Sequence, residues 1–108
     1  MTVNELVTRA DLTAAALPDG ERKITGVYIG DLLSWVMGRA ASGDAWITIM
    51  SNRNIVAVAT LADTACIILA EGVIPDDGVA DLATEKGVNI LQSDLPAYDI
   101  ALRLRDAL

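Results

Sequence analysis

Histidine is absent from this chain of 108 residues, which removes the commonest metal ligand and the usual general base at neutral pH. The single cysteine, Cys66, cannot form an internal disulfide, and its setting in ACIILA marks a small core residue rather than a reactive thiol. Basic side chains are scarce as well. Eight lysines and arginines against fifteen acids leave a net charge of -7, the wrong sign for attraction to a phosphate backbone, so nucleic acid is not an expected partner. Although 53% of the residues are hydrophobic, no uninterrupted apolar run approaches the roughly 20 residues of a membrane span. The opening MTVNELVTRAD lacks the basic start and apolar middle of a signal peptide, so a cytoplasmic location with no membrane partner is expected. At this length residues 1–108 should form one domain, with enough core to need neither disulfide nor metal.

The motifs of common chemistries are missing too. Neither GxxxxGK[ST] nor GxGxxG occurs, and Gly26 and Gly30 fit a strand and its exit turn better than a phosphate cradle. Ser34, Ser42, Ser51 and Ser93 have no histidine to activate them, and Lys23 and Lys86 stand in no serine-lysine pattern. Asp76 and Asp77 could ligate a divalent cation, but acids in the first turn of a helix have a sufficient structural reason to be there. No cofactor and no metal is therefore expected, and residue chemistry alone assigns no reaction.

What the chain does contain is a strand, helix, strand unit from Lys23 to Asn54 with both joints marked. Ile24, Val27 and Ile29, with Thr25 and Tyr28, suit a pleated and half-buried surface. Gly30 ends the run, and Asp31 stands where an N-cap should. Leu32, Leu33, Trp35, Val36, Met37 and Ala40 make the following helix apolar nearly all round, which predicts burial on more than one face. Gly43 and Asp44 then turn the chain into a second apolar strand, Ala45 to Met50. So short a unit implies a parallel crossover.

Around this unit, Thr2 and Glu5 have capping-box spacing and Val3, Leu6, Val7 and Ala10 share a helical face. Leu12 to Leu17 suits either an edge strand or a continuation of that helix, and PDGE at 18–21 is a turn in both cases. NIVAVATLAD has enough β-branched residues for a hairpin strand, but a cap from Ser51 and Asn52, the alanines and the length of a crossover favour a helix. Ala65 to Ala70 is a buried strand. Pro75 and Asp76 should open a helix carrying Val79, Leu82 and Ala83 and stopped by Gly87. Val88 to Leu91 is a short strand. Ser93 or Asp94 should cap a last helix with Ala97, Ile100, Ala101, Leu104 and Leu108 on one face and Asp99 paired to Arg103. The fold class is thus α/β, a mainly parallel sheet covered by helices.

Open α/β sheets bind ligands beyond the carboxyl ends of their strands. In this chain those ends are Gly30-Asp31, Ser51-Asn52-Arg53, Glu71-Gly72 and Gln92-Ser93-Asp94. The candidate ligand-binding residues are accordingly Asp31, Ser51, Asn52, Arg53, Glu71, Gly72, Ser93 and Asp94. Arg53 is the only cation among them and, at a helix start, favours an anionic group. Its alternatives are solvation or pairing with Glu71.

From about Ile24 to Leu104 the order of elements resembles the DRTGG domain, a regulatory or accessory module of HPr kinase/phosphorylase, phosphotransacetylases and some CBS-domain pyrophosphatases that also occurs alone. The Asp-Arg part of the motif falls on Asn52 and Arg53 in SNRNIVAVA, and the Thr-Gly-Gly part on Ala70, Glu71 and Gly72 in CIILAEGVIP. Only Arg53 and Gly72 match; Asn52 replaces an acid, and Glu71 brings one where the family has glycine. EKGVNILQSDLPAYDIALRL is similar to the family's ending. The resemblance implies an α/β sandwich related to the amino-terminal domain of HPr kinase, with a regulatory, non-catalytic and often dimeric role.

The expected function is a non-enzymatic module that senses a small anionic metabolite, a nucleotide or phosphorylated compound, or binds a partner protein such as an enzyme or kinase. Trp35 and Trp46 beside an apolar helix suggest more hydrophobic surface than one domain covers, hence a homodimer. The alternatives are a phosphoryl- or nucleotide-handling enzyme with Asp31, Glu71 or Asp94 as base and Arg53 on the anion, and a purely structural adaptor.

Overall fold

The computed structural model describes residues 1–108. Helix α1 (Val3–Arg9) opens on a complete capping box: the Glu5 amide donates to Thr2 Oγ1 at 3.2 Å and the Thr2 amide to Glu5 Oε1 at 3.0 Å. That bond from the Thr2 backbone, joined by the threonine hydroxyl, holds the Glu5 carboxyl below its ordinary range. Leu12 to Leu17 resolves as an edge strand, β1 (Thr13–Ala16), antiparallel to β5 (Ile90–Gln92) with a register shift between Ala14 and Ala16. The remaining strands, β2 (Gly26–Ile29), β3 (Asp44–Thr48) and β4 (Cys66–Leu69), pair in parallel with one another and with β5. One five-stranded sheet results, in the order β1-β5-β4-β3-β2.

Helices α2 (Leu33–Arg39), α3 (Asn54–Ala62) and α4 (Val79–Lys86) are the three crossovers of the parallel strands. All lie on one face, where Val36, Ile55, Val56, Ala59, Val79 and Ala83 pack with Trp46, Ile67, Leu69 and Ile90. The opposite face is covered by the ends of the chain. There Val3 and Leu6 of α1 and Ile100 and Leu104 of α5 (Ala97–Ala107) pack on Ala45, Ile47, Cys66, Ile68 and Leu91. Every residue of β3 and β4 is buried, as parallel strands between two helical layers must be. No helix is long and apolar enough to cross a membrane.

The stretch 52–63 carries helix α3, Asn54–Ala62, as its alanines and length predict. Asn52 Oδ1 accepts from the Asn54 amide at 2.9 Å, and Asp63 closes α3 in the left-handed conformation, φ 58°. The Asp63 carboxylate then accepts from Arg22 at 3.0 Å and from the Ser42 hydroxyl, which lowers its pKa. This lock sits at the amino ends of the parallel strands, away from their carboxyl edge.

Several expectations are corrected. Helix α2 buries only Val36; Leu32, Trp35 and Met37 are 58%, 52% and 45% exposed. The helix lies over the outermost strand, with α3 on one side only, so a single stripe finds a partner. Asp31 is not its N-cap: Leu32 holds that position, and the Asp31 carboxylate turns to the Thr48 hydroxyl at 2.8 Å and the Ile49 amide at 3.0 Å. Ser51 caps nothing, since its hydroxyl donates to Asp76 Oδ1 at 2.8 Å. Pro75 and Asp76 precede α4 instead of opening it, because the Asp76 amide is taken by the Ser51 carbonyl at 3.0 Å and Gly78, at φ 81°, makes the N-cap. Pro96 occupies the N-cap of α5, while Ser93 accepts from the Leu95 amide only two residues on. Leu108 is exposed past the end of α5. Arg103 forms no ion pair with Asp99; it donates to the Ala10 carbonyl at 2.7 Å, at the negative end of α1.

One buried polar side chain joins three separate segments. Asn89, 2% exposed, donates to the carbonyls of Asp19 and Ala65 at 2.8 and 2.9 Å and accepts from the Asp19 amide at 2.9 Å. It fastens the 18–21 turn to the entry of β4. Asn89→Ala leaves those backbone groups without partners, and urea unfolding is expected to show a loss of about 2–4 kcal/mol with an unchanged m-value.

Candidate functional site

Because β2, β3, β4 and β5 are parallel, their carboxyl ends lie along one edge of the sheet, and all eight candidate residues fall there. Backbone bonds hold the exits together. The Glu71 amide donates to the Leu95 carbonyl and the Gly72 amide to the Ser93 carbonyl, both at 2.9 Å, with Glu71 and Gly72 in consecutive left-handed conformations at φ 59° and 76°. A β-carbon on Gly72 would stand 3.3 Å from the Asp94 carboxylate.

The crossovers decide where this edge opens. The chain leaves β4 for the face that carries α4, whereas it leaves β5 for the face that carries α5. Exits diverging to opposite faces leave a crevice between them, the usual ligand position in open α/β sheets. Here it is a cleft of about 400 Å³ lined by Gly72, Ser93 and Asp94 together with Asp11, Gln92 and Arg103. A second cleft, about 280 Å³, holds Asn52 and Arg53 against Asp76, Asp77 and Gly78. Between them lies a third of about 360 Å³, sharing Ile74 and Gln92 with the first and Asp76 to Gly78 with the second. The edge is thus a groove of three adjoining clefts with an arginine at each end and five aspartates, Asp11, Asp76, Asp77, Asp81 and Asp94, along its walls.

Three of the eight residues line none of these clefts. Asp31 and Ser51 are engaged as described, and Glu71 serves the edge through its backbone. Arg53 is exposed, with no ion pair to Glu71 or to any other acid. Arg103 was not signalled by the sequence, since it approaches the edge from α5 and its partner Ala10 lies 93 positions away. Chemically the groove offers guanidinium groups for anions and carboxylates and carbonyls for donors, a set that suits a ligand carrying both. Cys66 takes no part, because complete burial pushes its thiol up to about 12.

Fold and edge together define a small α/β/α module, a mixed sheet between two helical layers with a polar crevice beyond its strand ends. The family match is direct: the DRTGG domain covers residues 7–107, and the chain belongs to that family. Among solved structures it is similar to the CBS and DRTGG domains of the regulatory region of Clostridium perfringens pyrophosphatase, complexed with the activator diadenosine tetraphosphate. That likeness has a TM-score of 0.76 at 12% identity, over 99% of this chain. The chain spans about half, 47%, of the length of that structure. No curated protein matches it in sequence.

The burial of Cys66 has a direct readout. In the native protein it should react with a thiol reagent such as DTNB only as fast as the molecule unfolds, and at once in denaturant. Rapid stoichiometric labelling without denaturant would contradict the packing described.

Proposed function

We propose that this chain is a non-catalytic regulatory module whose strand-end groove senses a small anionic metabolite of the nucleotide or phosphorylated class. The observation that carries the reading is the divergence of the β4 and β5 exits, which opens a crevice beside Arg103 in continuity with the unpaired Arg53. The aspartates of the same groove repel a bare anion and accept from hydroxyl or amino groups, so the ligand carries both functions, as nucleotides do. The activator-bound pyrophosphatase region supports a regulatory role by analogy of fold.

A thermal-shift series with nucleotides and phosphorylated metabolites tests the site. At about one hundred times its dissociation constant a ligand adds about 2.7 kcal/mol, which raises the melting temperature by something on the order of 10 °C in a domain of this size. The shift should shrink in Arg53→Ala and in Arg103→Ala, each measured against its own ligand-free protein. Equal shifts in all three proteins would remove the groove from consideration.

The same reading makes the module a homodimer through the free edge of β2 and the apolar surface beside it. Six large exposed hydrophobic side chains flank that edge from both sides, Val27, Ile29 and Ile49 on the sheet face that carries α5 and Leu32, Trp35 and Met37 on the side of α2. An unpaired strand edge bordered by such a surface is self-complementary about a twofold axis. Light scattering at micromolar concentration should give twice the monomer mass for the parent and the monomer mass for Ile29→Lys. A monomeric parent would overturn the dimer and leave the ligand site standing.

A further inference from the structure

We infer that the groove between α3 and α4 is a docking site for an acidic amphipathic helix of a partner protein. This groove, about 540 Å³, is lined by Ala57 and Leu61 of α3 and Leu82 of α4, with Arg53 and Lys86 at its borders. No acid lines it, whereas every other cleft of the surface carries at least one aspartate. In a chain with fifteen acids and eight bases, that makes it the cleft whose own lining attracts an acidic segment, with Asp76 and Asp77 lying beyond Arg53 in the adjoining cleft.

The layout says what fits. Both helices follow parallel strands and run side by side from the carboxyl edge toward the amino edge. Arg53 precedes α3 at the first edge, and Lys86 ends α4 at the second. Neither cation has an ion-pair partner. Along α3 the positions Arg53, Ala57 and Leu61 recur every four residues, so the row runs about 12 Å from the arginine to the leucine and its apolar part about 6 Å. Leu61 is 71% exposed, an apolar side chain set in the open in the last turn of α3, in the same groove as Lys86. Two turns of a helix span the length of that row: leucine-class residues at i and i+4 would rest on Leu61 and Leu82, with an acid beyond each end facing Arg53 and Lys86.

The inference goes beyond the sensor reading, and the two can fail separately, because Leu61 and Lys86 line none of the strand-end clefts. The probe is a fluorescein-labelled helical peptide of about 16 residues, long enough to hold helix, with leucines at i, i+3, i+4 and i+7 flanked by glutamates. A second peptide replaces the glutamates with lysines. Anisotropy titrations should show the acidic peptide binding the parent and the lysine peptide binding at least tenfold more weakly. Leu61→Glu should weaken the acidic peptide at least tenfold, and Lys86→Glu should weaken it while strengthening the lysine peptide. Amide shifts in nitrogen-15 spectra of the parent should move at Ala57, Thr60, Leu61 and Leu82. The inference is overturned by no binding at millimolar peptide, by equal affinity for both peptides, or by shifts that map to α2. It is overturned equally if Leu61→Glu turns a self-associated parent into a monomer, since the groove would then hold a second copy.

Discussion

The complete burial of β3 and β4 is the constraint on which the rest of the structure depends. All nine strand positions, five in β3 and four in β4, face a helical layer on one side or the other. Three crossovers on the same face cover only half of that surface, so the other half falls to α1 and α5, the two ends of the chain. The ends are consequently structural. Arg103 joins them by donating to the last carbonyl turn of α1, and Asn89 ties the turn between β1 and β2 to the base of β4. Sending α5 to the second face is also what splits the exits of β4 and β5. The crevice beside Arg103 is a by-product of covering the sheet.

Electrostatics divides the surface in a way composition alone does not express. Of the eight cations, Arg9, Arg22 and Arg105 pair with acids, Arg39 stacks 3.7 Å from the Trp35 ring, and Arg103 binds the Ala10 carbonyl. Lys23, Arg53 and Lys86 remain, and two of these three border the α3–α4 groove. Exposed pairs such as Arg9–Glu5 contribute little to stability. An unpaired cation beside an apolar floor acts on encounter and orientation instead, through long-range attraction that salt weakens. Two of the three unpaired bases thus stand at one groove.

The parts of the fold legible in the sequence were those specified by neighbours in the chain. The capping box at Thr2 and Glu5, the uninterrupted apolar runs of β3 and β4, and the glycine stop at Gly87 are local instructions, and each has its counterpart in the structure. Misreadings arose where a distant group outbid a local one. Asp31 and Ser51 both look like helix caps, yet the first is drawn to the end of β3 and the second to Asp76, because crowded strand exits offer partners no linear pattern reveals. Apolar periodicity in α2 was visible, but periodicity cannot say that the sheet ends beneath it. The candidate edge was legible as a whole from strand direction; its division into clefts, and the entry of Arg103, depend on which face each helix takes.

The positions on which the resemblance places the family motif have a physical role in this chain. Asn52 orders the start of α3 through the Asn54 amide, and the Ala70 amide extends the ladder to the Thr48 carbonyl at 3.0 Å. Glu71 and Gly72 turn the chain through two left-handed residues and hand their amides to Leu95 and Ser93. Consecutive positive φ angles explain a preference for glycine at both positions, and a glutamate at the first costs about 1 kcal/mol of backbone strain, which the two bonds to the β5 exit offset. Glu71 can therefore replace glycine without loss of the turn. What these positions supply is the joint between two strand exits, a shape rather than a chemistry. On the proposed sensor reading, discrimination among ligands would rest on the side chains along that edge, Arg53, Asp76, Asp94 and Arg103, and two chains sharing the joint can differ in what they bind.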